Sequence, residues 1–314
     1  MNLNTQICDL LNIEFPILQG AMAWIAGGSL AGAVSEAGAL GIIGTGDADP
    51  DWLRQQINTV RSISNKPFGV NLMLTSPHVK EIIEVIVKEQ VPVVTTGGGN
   101  PGRFLSALKD AGITVIPVVS SVALAKRLSR LGADAVIAEG TESGGHIGEM
   151  TTMCLVPMVV DAVNVPVIAA GGIADGRGFL AAMALGASGV QIGTRFICAA
   201  ECGVHPDYQK KIINSKDRDT VVCGATTGHP VRAIHNSFTR SYANAEKQGM
   251  SAEQLMEMGR GRYPAASVRG DLDNGTVLAG QICGLIHDVQ PAAVIIQNIV
   301  KEAGLIKQQL TGGI

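Results

Sequence analysis

The chain has 314 residues, of which 46% are hydrophobic and 16% charged, and its mean hydropathy of +0.26 indicates a large folded core. Its net charge of -3 and aromatic content of 4% argue against a protein that binds nucleic acid through a basic surface and base stacking. The 39 glycines mostly follow apolar runs, where a turn needs a residue without a Cβ. This length fits either two small domains or one large barrel.

The six cysteines form no C-x-x-C pair, and their spacing suits neither a zinc site nor a disulfide framework. We therefore expect reduced thiols and no metal site. The first basic residue is Arg54, so the N-terminal region lacks the positively charged segment of a signal peptide. No apolar run reaches the length of a membrane-spanning helix. These features predict a cytoplasmic protein with no membrane or nucleic-acid partner.

Apolar runs alternate with amphipathic segments through the first two thirds of the chain. Eight runs predict buried strands at residues 17–22, 40–44, 68–73, 91–96, 115–119, 134–138, 165–170 and 189–196. Helical periodicity separates them at residues 29–37, 50–64, 77–89, 101 onward, 122–131, 153–163 and 178–185. This order predicts a (β/α)8 TIM barrel. A doubly wound open sheet is disfavoured because it usually has fewer strands and, for dinucleotides, G-x-G-x-x-G after the first strand.

The alternation ends after Phe196. Residues 1–196 are therefore predicted to hold the barrel and its ligand site, and residues 197–270, which lack strong strand patterns, to form a helical excursion over the barrel mouth. Residues 271–314 return to a regular pattern. Helices are predicted there at residues 276–286 and from Pro291 to Ala303, and they would complete the barrel.

Ligands of a barrel bind at the C-terminal ends of its strands, and phosphate often binds after strands seven and eight. Here these positions carry Gly171 and Gly172, and then Gln191, Gly193 and Thr194. Backbone N–H groups close to helix N-termini favour phosphate, although ordinary turn glycines would give the same pattern.

Polar side chains also occur at strand ends where a core disfavours them. Gln19, Asn71 and Glu139 need hydrogen-bond partners, which either a mononucleotide cofactor or a structural network would supply. His146 lies in the glycine-rich loop after the sixth strand. Its imidazole is either a group that holds or moves a proton near neutral pH, or a capped or solvated side chain.

Several segments together resemble the FMN barrels of the nitronate monooxygenase superfamily and, within it, the enoyl-[acyl-carrier-protein] reductase II branch. They are residues 16–24, 69–71, 139–148, 169–176, 191–196 and 270–285, so that the likeness covers nearly the whole chain. One departure is Ala21, where reductases of this type have glycine. Its methyl group puts the fine substrate geometry in doubt, but not cofactor binding.

The resemblance implies that residues 1–196 bind FMN and that His146 is the active-site histidine. Gly171, Gly172, Gly193 and Thr194 would hold the phosphate. The other residues expected to bind the cofactor are Gln19, Gly20, Met22, Asn71, Glu139, Gly144 and Gln191.

The reaction implied is the reduction of trans-2-enoyl thioesters on acyl carrier protein by NADH or NADPH through FMN. A monovalent cation and a homodimer are further hypotheses. Arg232, Arg240, Lys247, Arg260, Arg262 and Arg269 are hypothetical docking residues for an acidic carrier or for nucleotide phosphates, although exposed charges are usually only solvated.

Three alternatives remain. A nitronate monooxygenase would use the same flavin and histidine but pass electrons to oxygen. A nucleotide dehydrogenase of the inosine-monophosphate type is disfavoured because Cys154 lacks the expected glycine-serine context. A non-catalytic barrel that senses a phosphorylated metabolite would bind no flavin.

Overall fold

A computed structural model of the chain describes residues 4–312. The strands in this part are β1 (Ile17–Gln19), β2 (Gly41–Gly44), β3 (Phe68–Met73), β4 (Val93–Gly97), β5 (Thr114–Val119), β6 (Val136–Glu139), β7 (Gly145–His146), β8 (Val167–Ala170), β9 (Gly189–Ile192), β10 (Thr220–Cys223) and β11 (Val231–Ile234).

The α-helices are α1 (Gln6–Leu11), α2 (Gly28–Glu36), α3 (Pro50–Ile63), α4 (Val79–Lys88), α5 (Gly102–Asp110), α6 (Val122–Arg130), α7 (Thr152–Val160), α8 (Gly176–Ala184), α9 (Thr194–Ile197), α10 (Pro206–Ile213), α11 (Ser237–Lys247), α12 (Ala252–Gly259), α13 (Arg262–Ser267) and α14 (Ala292–Thr311). Short 3₁₀ helices span Ala225–Thr227 and Gln281–Leu285. No helix within residues 4–312 is both long and apolar enough to cross a membrane.

Eight parallel strands form the barrel sheet in the order β1-β9-β8-β6-β5-β4-β3-β2. Its two ends meet where Gln19 N–H donates to the Leu40 carbonyl at 2.9 Å and Leu40 N–H donates to the Ile17 carbonyl at 2.9 Å. The (β/α)8 barrel predicted from the alternation of strands and helices is therefore confirmed.

Side chains of alternate strand residues point to opposite faces of the sheet, so each strand serves two cores. One set fills the barrel interior: Leu18, Leu40, Ile42, Val93, Ile116, Ile137 and Ile168. The other set, which includes Ile17, Ile43, Val70, Val94 and Val190, packs outward against the helices. Because both faces are buried, the strands have nearly continuous apolar sequences, and this is why they could be predicted.

Residues 197–270 are not purely helical, in contrast to the prediction. They contain the antiparallel hairpin β10–β11, and β11 pairs in turn with β7 from the loop after β6. The strand predicted at residues 189–196 ends at Ile192 and is followed by α9.

The prediction of a helix at residues 276–286 is wrong. This segment is extended, with a bridge between Ala233 and Leu278, and it forms only the short 3₁₀ helix at Gln281–Leu285. Helix α14 packs against α8 and α2.

Candidate active site

Polar side chains form a ring at the C-terminal ends of the barrel strands. Two residues beyond the interior-facing Ile137 and Val93, the same alternation brings Glu139 and Thr95 to the mouth. Gln191 follows the outward-facing Val190 and therefore also points inward. Asn71 is hydrogen-bonded to Thr95, with 3.0 Å between Asn71 Nδ2 and Thr95 Oγ1. This ring lies above an apolar interior, and it therefore marks where a polar ligand would meet the barrel.

Only 9% of the Gln191 residue is exposed, and its carboxamide makes no hydrogen bond to another residue in the range 4–312, while its polar atoms keep access to solvent. The carboxamide is therefore free to bond to a ligand at the mouth. Gln19 differs. Its Nε2 donates to the Ile42 carbonyl at 3.2 Å, its Oε1 accepts from Ile42 N–H at 3.0 Å, and the residue is fully buried. The geometry thus gives Gln19 a role in closing the barrel and no support to cofactor binding by its side chain.

Glu139 ends β6 and is partly buried at the mouth. Burial raises the pKa of its carboxyl group to about 7, and the nearby Ser143 hydroxyl opposes this with a smaller effect. No basic side chain in the described chain forms an ion pair with it. Near neutral pH this carboxyl group is therefore able to donate a hydrogen bond in one protonation state and to accept one in the other.

The glycine-rich loop after β6 holds His146 in a strand. Gly145 pairs with Arg232 and His146 with Val231 across the β7–β11 ladder, and Ile147 N–H donates to the Pro230 carbonyl at 3.1 Å. Backbone hydrogen bonds from strand β11 of the excursion thus hold the loop, and they give His146 a defined backbone position.

His146 is exposed, and its ring lies at right angles to that of His229 with 6.4 Å between the centroids. The pKa of His146 lies below its ordinary value, mainly because surrounding protein groups displace water, and secondarily because His229 repels a positive charge. The imidazole is therefore neutral at pH 7, with one N–H donor and one lone pair.

Two residues that the sequence did not single out as site residues hold this loop. The Glu142 carboxylate accepts the Thr152 N–H at the start of α7, with the shorter distance 2.9 Å, and the Thr152 hydroxyl at 2.8 Å. Arg232 is buried, and its Nε donates to the Thr141 carbonyl at 3.0 Å. Its burial excludes Arg232 from the exposed docking residues considered above.

Gly144 is needed for packing against the C-terminal segment. A Cβ at Gly144 would lie 2.6 Å from the backbone carbon of Ala279, and Gln281 N–H donates to the Glu142 carbonyl at 2.9 Å. The extended segment that was predicted as a helix therefore backs the loop of His146.

Two glycine turns follow the neighbouring parallel strands β8 and β9. Gly171 and Gly172 have φ values of 90° and 74°, a conformation that favours glycine. The N–H groups of Gly172, Ile173, Thr194 and Arg195 have no hydrogen-bond acceptor within residues 4–312. An anion is the natural partner for such a group of donors.

Gly193 keeps backbone accessible beside these donors. A Cβ there would have only Met22 Sδ within 4 Å, at 3.8 Å, and Gly20 packs against the Gly193 backbone. The Thr194 hydroxyl accepts Gly280 N–H at 2.9 Å and keeps its own proton for a further acceptor.

The residues present fit a flavin mononucleotide. Free N–H groups and the Thr194 hydroxyl would hold its phosphate, and the polar ring of Asn71, Glu139 and Gln191 would meet its ribityl chain or ring edge. Within the described chain, no cluster of three or more His, Cys, Asp or Glu side chains is arranged to hold a metal ion.

Known proteins resemble the chain over nearly its full length. The chain is 51% identical to FabK from Thermotoga maritima, with a TM-score of 0.96 and 99% of each chain covered. It is 32% identical to a probable nitronate monooxygenase of Staphylococcus saprophyticus, over 98% of this chain and 99% of that protein. A Mycobacterium tuberculosis protein named (3aS,4S,5R,7aS)-5-hydroxy-7a-methyl-1-oxo-octahydro-1H-indene-4-carboxyl-CoA dehydrogenase is 30% identical, over 96% of this chain and 97% of that protein.

The sequence model of the nitronate monooxygenase family matches residues 4–83 and 79–302. The two matches together span nearly all of the barrel, the excursion and the C-terminal segment. The chain is therefore an oxidoreductase-type TIM barrel that belongs to the nitronate monooxygenase family.

Proposed function

We propose that the protein reduces the carbon–carbon double bond of trans-2-enoyl thioesters carried by acyl carrier protein, with bound FMN and with NADH or NADPH as the reductant. This is the last step of fatty-acid elongation. The observation that carries the proposal is the full-length likeness to FabK, an enoyl-acyl-carrier-protein reductase II, at 51% identity. The likeness includes the excursion and the C-terminal segment that support His146. A relative named for a carboxyl-CoA compound also supports a thioester substrate.

Bound FMN would supply hydride transfer between the nicotinamide and the enoyl substrate. The protein supplies position and hydrogen bonds. The N–H groups of Gly172 and Thr194 would hold the cofactor phosphate, and Asn71 and Gln191 would orient the rest of the cofactor. Met22, beside Gly193, would contact the ring system.

His146 would act on the substrate. In the neutral form it donates one hydrogen bond, which is suited to the thioester carbonyl oxygen as negative charge develops there during reduction. A hydrogen bond to this oxygen becomes stronger as the negative charge grows, and it therefore lowers the activation free energy of the reduction. The α-carbon proton would come from solvent, because a neutral imidazole has no further proton to give.

A nitronate monooxygenase is the second candidate, favoured by the family match and by the lowered pKa of His146. A neutral imidazole is able to accept a proton from a nitroalkane carbon. The two functions therefore use the same neutral residue differently, as a hydrogen-bond donor in the reductase and as a proton acceptor in the monooxygenase.

The deciding experiment is anaerobic mixing of the purified protein with NADH and crotonyl thioester. We expect flavin absorbance to bleach with NADH and to return on addition of the enoyl thioester, without oxygen. Turnover of a nitronate in air without NADH would support the monooxygenase instead. A protein without yellow colour and without FMN in the supernatant after denaturation would contradict both.

The carrier protein is the proposed partner, and exposed basic residues of the excursion are its proposed contacts. Arg240, Lys247 and Arg269 are exposed, whereas Arg262 bonds to backbone carbonyls and stacks on Phe238. We expect Arg240→Glu combined with Arg269→Glu to raise KM for the carrier-bound substrate and to leave KM for a CoA substrate unchanged. Equal KM changes for both substrates would contradict docking at these residues.

A further inference from the structure

Trp24 has a strained backbone and an exposed side chain. Its φ is 64°, in the left-handed region that a bulky residue rarely adopts, and 45% of the residue is exposed. Glycine or asparagine would fit this position more easily. Such a conformation persists only where the surroundings fix it, and it is found most often at functional sites.

The surroundings of Trp24 are rigid. Met22 carbonyl accepts the N–H groups of Ile25 at 3.1 Å and Ala26 at 2.8 Å, and Gly44 N–H donates to the Ala26 carbonyl at 2.9 Å. Ile25 and Ala26 are buried, so the loop after β1 is anchored on both sides of the exposed indole.

A second loop packs against this one. A Cβ at Gly44 would lie 2.8 Å from the Met22 backbone, and a Cβ at Gly46 would lie 2.8 Å from Ala23 Cβ and 3.9 Å from Trp24 Nε1. The indole therefore stands between the loops after β1 and β2. It is two residues from Met22, whose sulfur lies beside Gly193 of the proposed cofactor site.

The loop after β2, whose Gly46 lies near Trp24, is followed by acidic residues. The loop after β2 and the start of α3 carry the exposed carboxylates Asp47, Asp49 and Asp51. Asp49 caps α3 through Trp52 N–H, and Asp51 pairs with Arg54, whereas no ion pair or hydrogen bond of the Asp47 side chain occurs within residues 4–312. Acidic side chains disfavour the phosphates of a nicotinamide dinucleotide or of CoA. An uncharged alkyl group is the ligand chemistry that fits.

We propose that Trp24 is the contact surface for the alkyl chain of the thioester substrate, and that it makes the protein prefer longer acyl chains. This inference rests on the proposed function. The indole offers a flat apolar face at the mouth, and its few rotatable bonds limit the entropy lost when it is ordered against a ligand. Trp24 lies in the loop after β1, at the end of the barrel that carries the proposed cofactor site, so its exposed face is available to a chain that extends from that site.

The test measures kcat/KM for enoyl-CoA substrates of four, eight and twelve carbons. Trp24→Asn keeps a residue that tolerates the left-handed region, and Trp24→Phe keeps an aromatic ring. We expect Trp24→Asn to lower kcat/KM about tenfold for the two longer substrates, as for the loss of about two buried methylene groups, with little change for the four-carbon substrate. Trp24→Phe should keep most of the preference for long chains.

Binding of saturated acyl-CoA, measured by calorimetry, gives a readout that does not need turnover. We expect the gain in affinity from four to twelve carbons to shrink about tenfold in Trp24→Asn and to persist in the control Leu310→Asn, which changes another exposed apolar residue. If no enoyl thioester is reduced but this chain-length effect is seen, the proposed function fails and the contact stands.

Two results would overturn the contact itself. One is a chain-length dependence that is the same in the wild type and in Trp24→Asn. The other is a raised KM for NADH with unchanged chain-length dependence, which would assign the indole to the dinucleotide. The midpoint of thermal unfolding of Trp24→Asn should not fall below that of the wild type, so a loss of affinity does not reflect misfolding.

Discussion

Glu139 shows how burial changes the chemistry of one side chain. The pKa of its carboxyl group is about 7 in the folded protein, compared with an ordinary value of 4.5. A raised pKa in the folded state means that the protonated carboxyl group stabilises the fold. This stability is fully present below about pH 4.5 and is lost as the pH rises to about 7. The ionised form of Glu139 is therefore tolerated near neutral pH at a cost in stability.

We predict that Glu139→Gln reduces the pH dependence of stability, because the amide does not ionise. Between about pH 5 and about pH 8 the wild type should lose up to roughly 3 kcal/mol more unfolding free energy than the variant. Urea unfolding of the flavin-free protein measures this difference. Glu149→Gln, at an exposed position on the same loop, is the control. Parallel pH curves for the wild type and Glu139→Gln would contradict the raised pKa.

His146 is the residue whose removal should separate chemistry from cofactor binding. We predict that His146→Ala retains FMN and lowers the rate of enoyl reduction by about 10² to 10³, the usual loss when one hydrogen-bond donor to a developing oxyanion is removed. FMN absorbance and single-turnover kinetics measure the two effects. His235→Ala changes an exposed histidine after β11 and should leave both values unchanged. Unchanged turnover in His146→Ala would remove this residue from the mechanism.

Sequence patterns identified the positions of polar residues at strand ends but not their partners. Asn71, Glu139 and Gln191 lie at the mouth because each is in the C-terminal half of a buried strand, and strand alternation decides their direction locally. Gln19 has the same pattern, but it bonds to Ile42, which is distant in the chain. Arg232 was grouped with the exposed basic residues because its burial depends on β7, which is also distant in the chain.

At the scale of elements, the β10–β11 hairpin was missed because each strand has four residues and its pairing with β7 is tertiary. The segment at residues 276–286 has apolar residues with a helix-like spacing, but Gly280 and Gly284 interrupt it and Gly275 precedes it. These glycines were a usable signal against a helix, because glycine is unfavourable in a helix interior. A Cβ at Gly280 would lie 2.7 Å from the Glu142 carbonyl, so close packing explains that glycine.

The contact between the hairpin and the loop of His146 gives the prediction for Arg232. Replacing Arg232 with Met removes the donor to the Thr141 carbonyl and the Nη1 contact with the Thr220 hydroxyl. We expect a loss of about 1 to 3 kcal/mol in unfolding free energy, since buried polar groups lose their partner. Turnover should fall at least about tenfold through displacement of His146.

FMN affinity should be nearly unchanged in Arg232→Met, because Gly172, Gly193 and Thr194 are held by the barrel. Fluorescence titration of the flavin-free protein with FMN measures this, alongside urea unfolding and turnover. Arg269→Met removes an exposed arginine and is the matched control. Equal losses of FMN affinity and turnover in Arg232→Met would show a general collapse of the site rather than misplacement of His146.

The whole barrel was predictable because its strands are buried on both faces, and closure follows from the right-handed order of repeated β–α units. How the ring is joined could not be predicted from local patterns. The joint lies between β1 and β2, where the backbone makes few bonds and the Gln19 side chain adds two more to Ile42. The buried carboxamide therefore acts as part of the sheet.

This role gives the last prediction. Gln19→Leu keeps a similar volume but leaves Ile42 N–H and carbonyl groups buried without their partners, so we expect the unfolding free energy to fall by about 2 to 5 kcal/mol. FMN affinity of the remaining folded protein should change less than about threefold, because the residue is fully buried and its amide is already bonded. Asn71→Leu is the comparison, since that amide lies in the mouth ring and its loss should weaken FMN binding more than stability. Unchanged stability with a large loss of FMN affinity in Gln19→Leu would return Gln19 to the cofactor site.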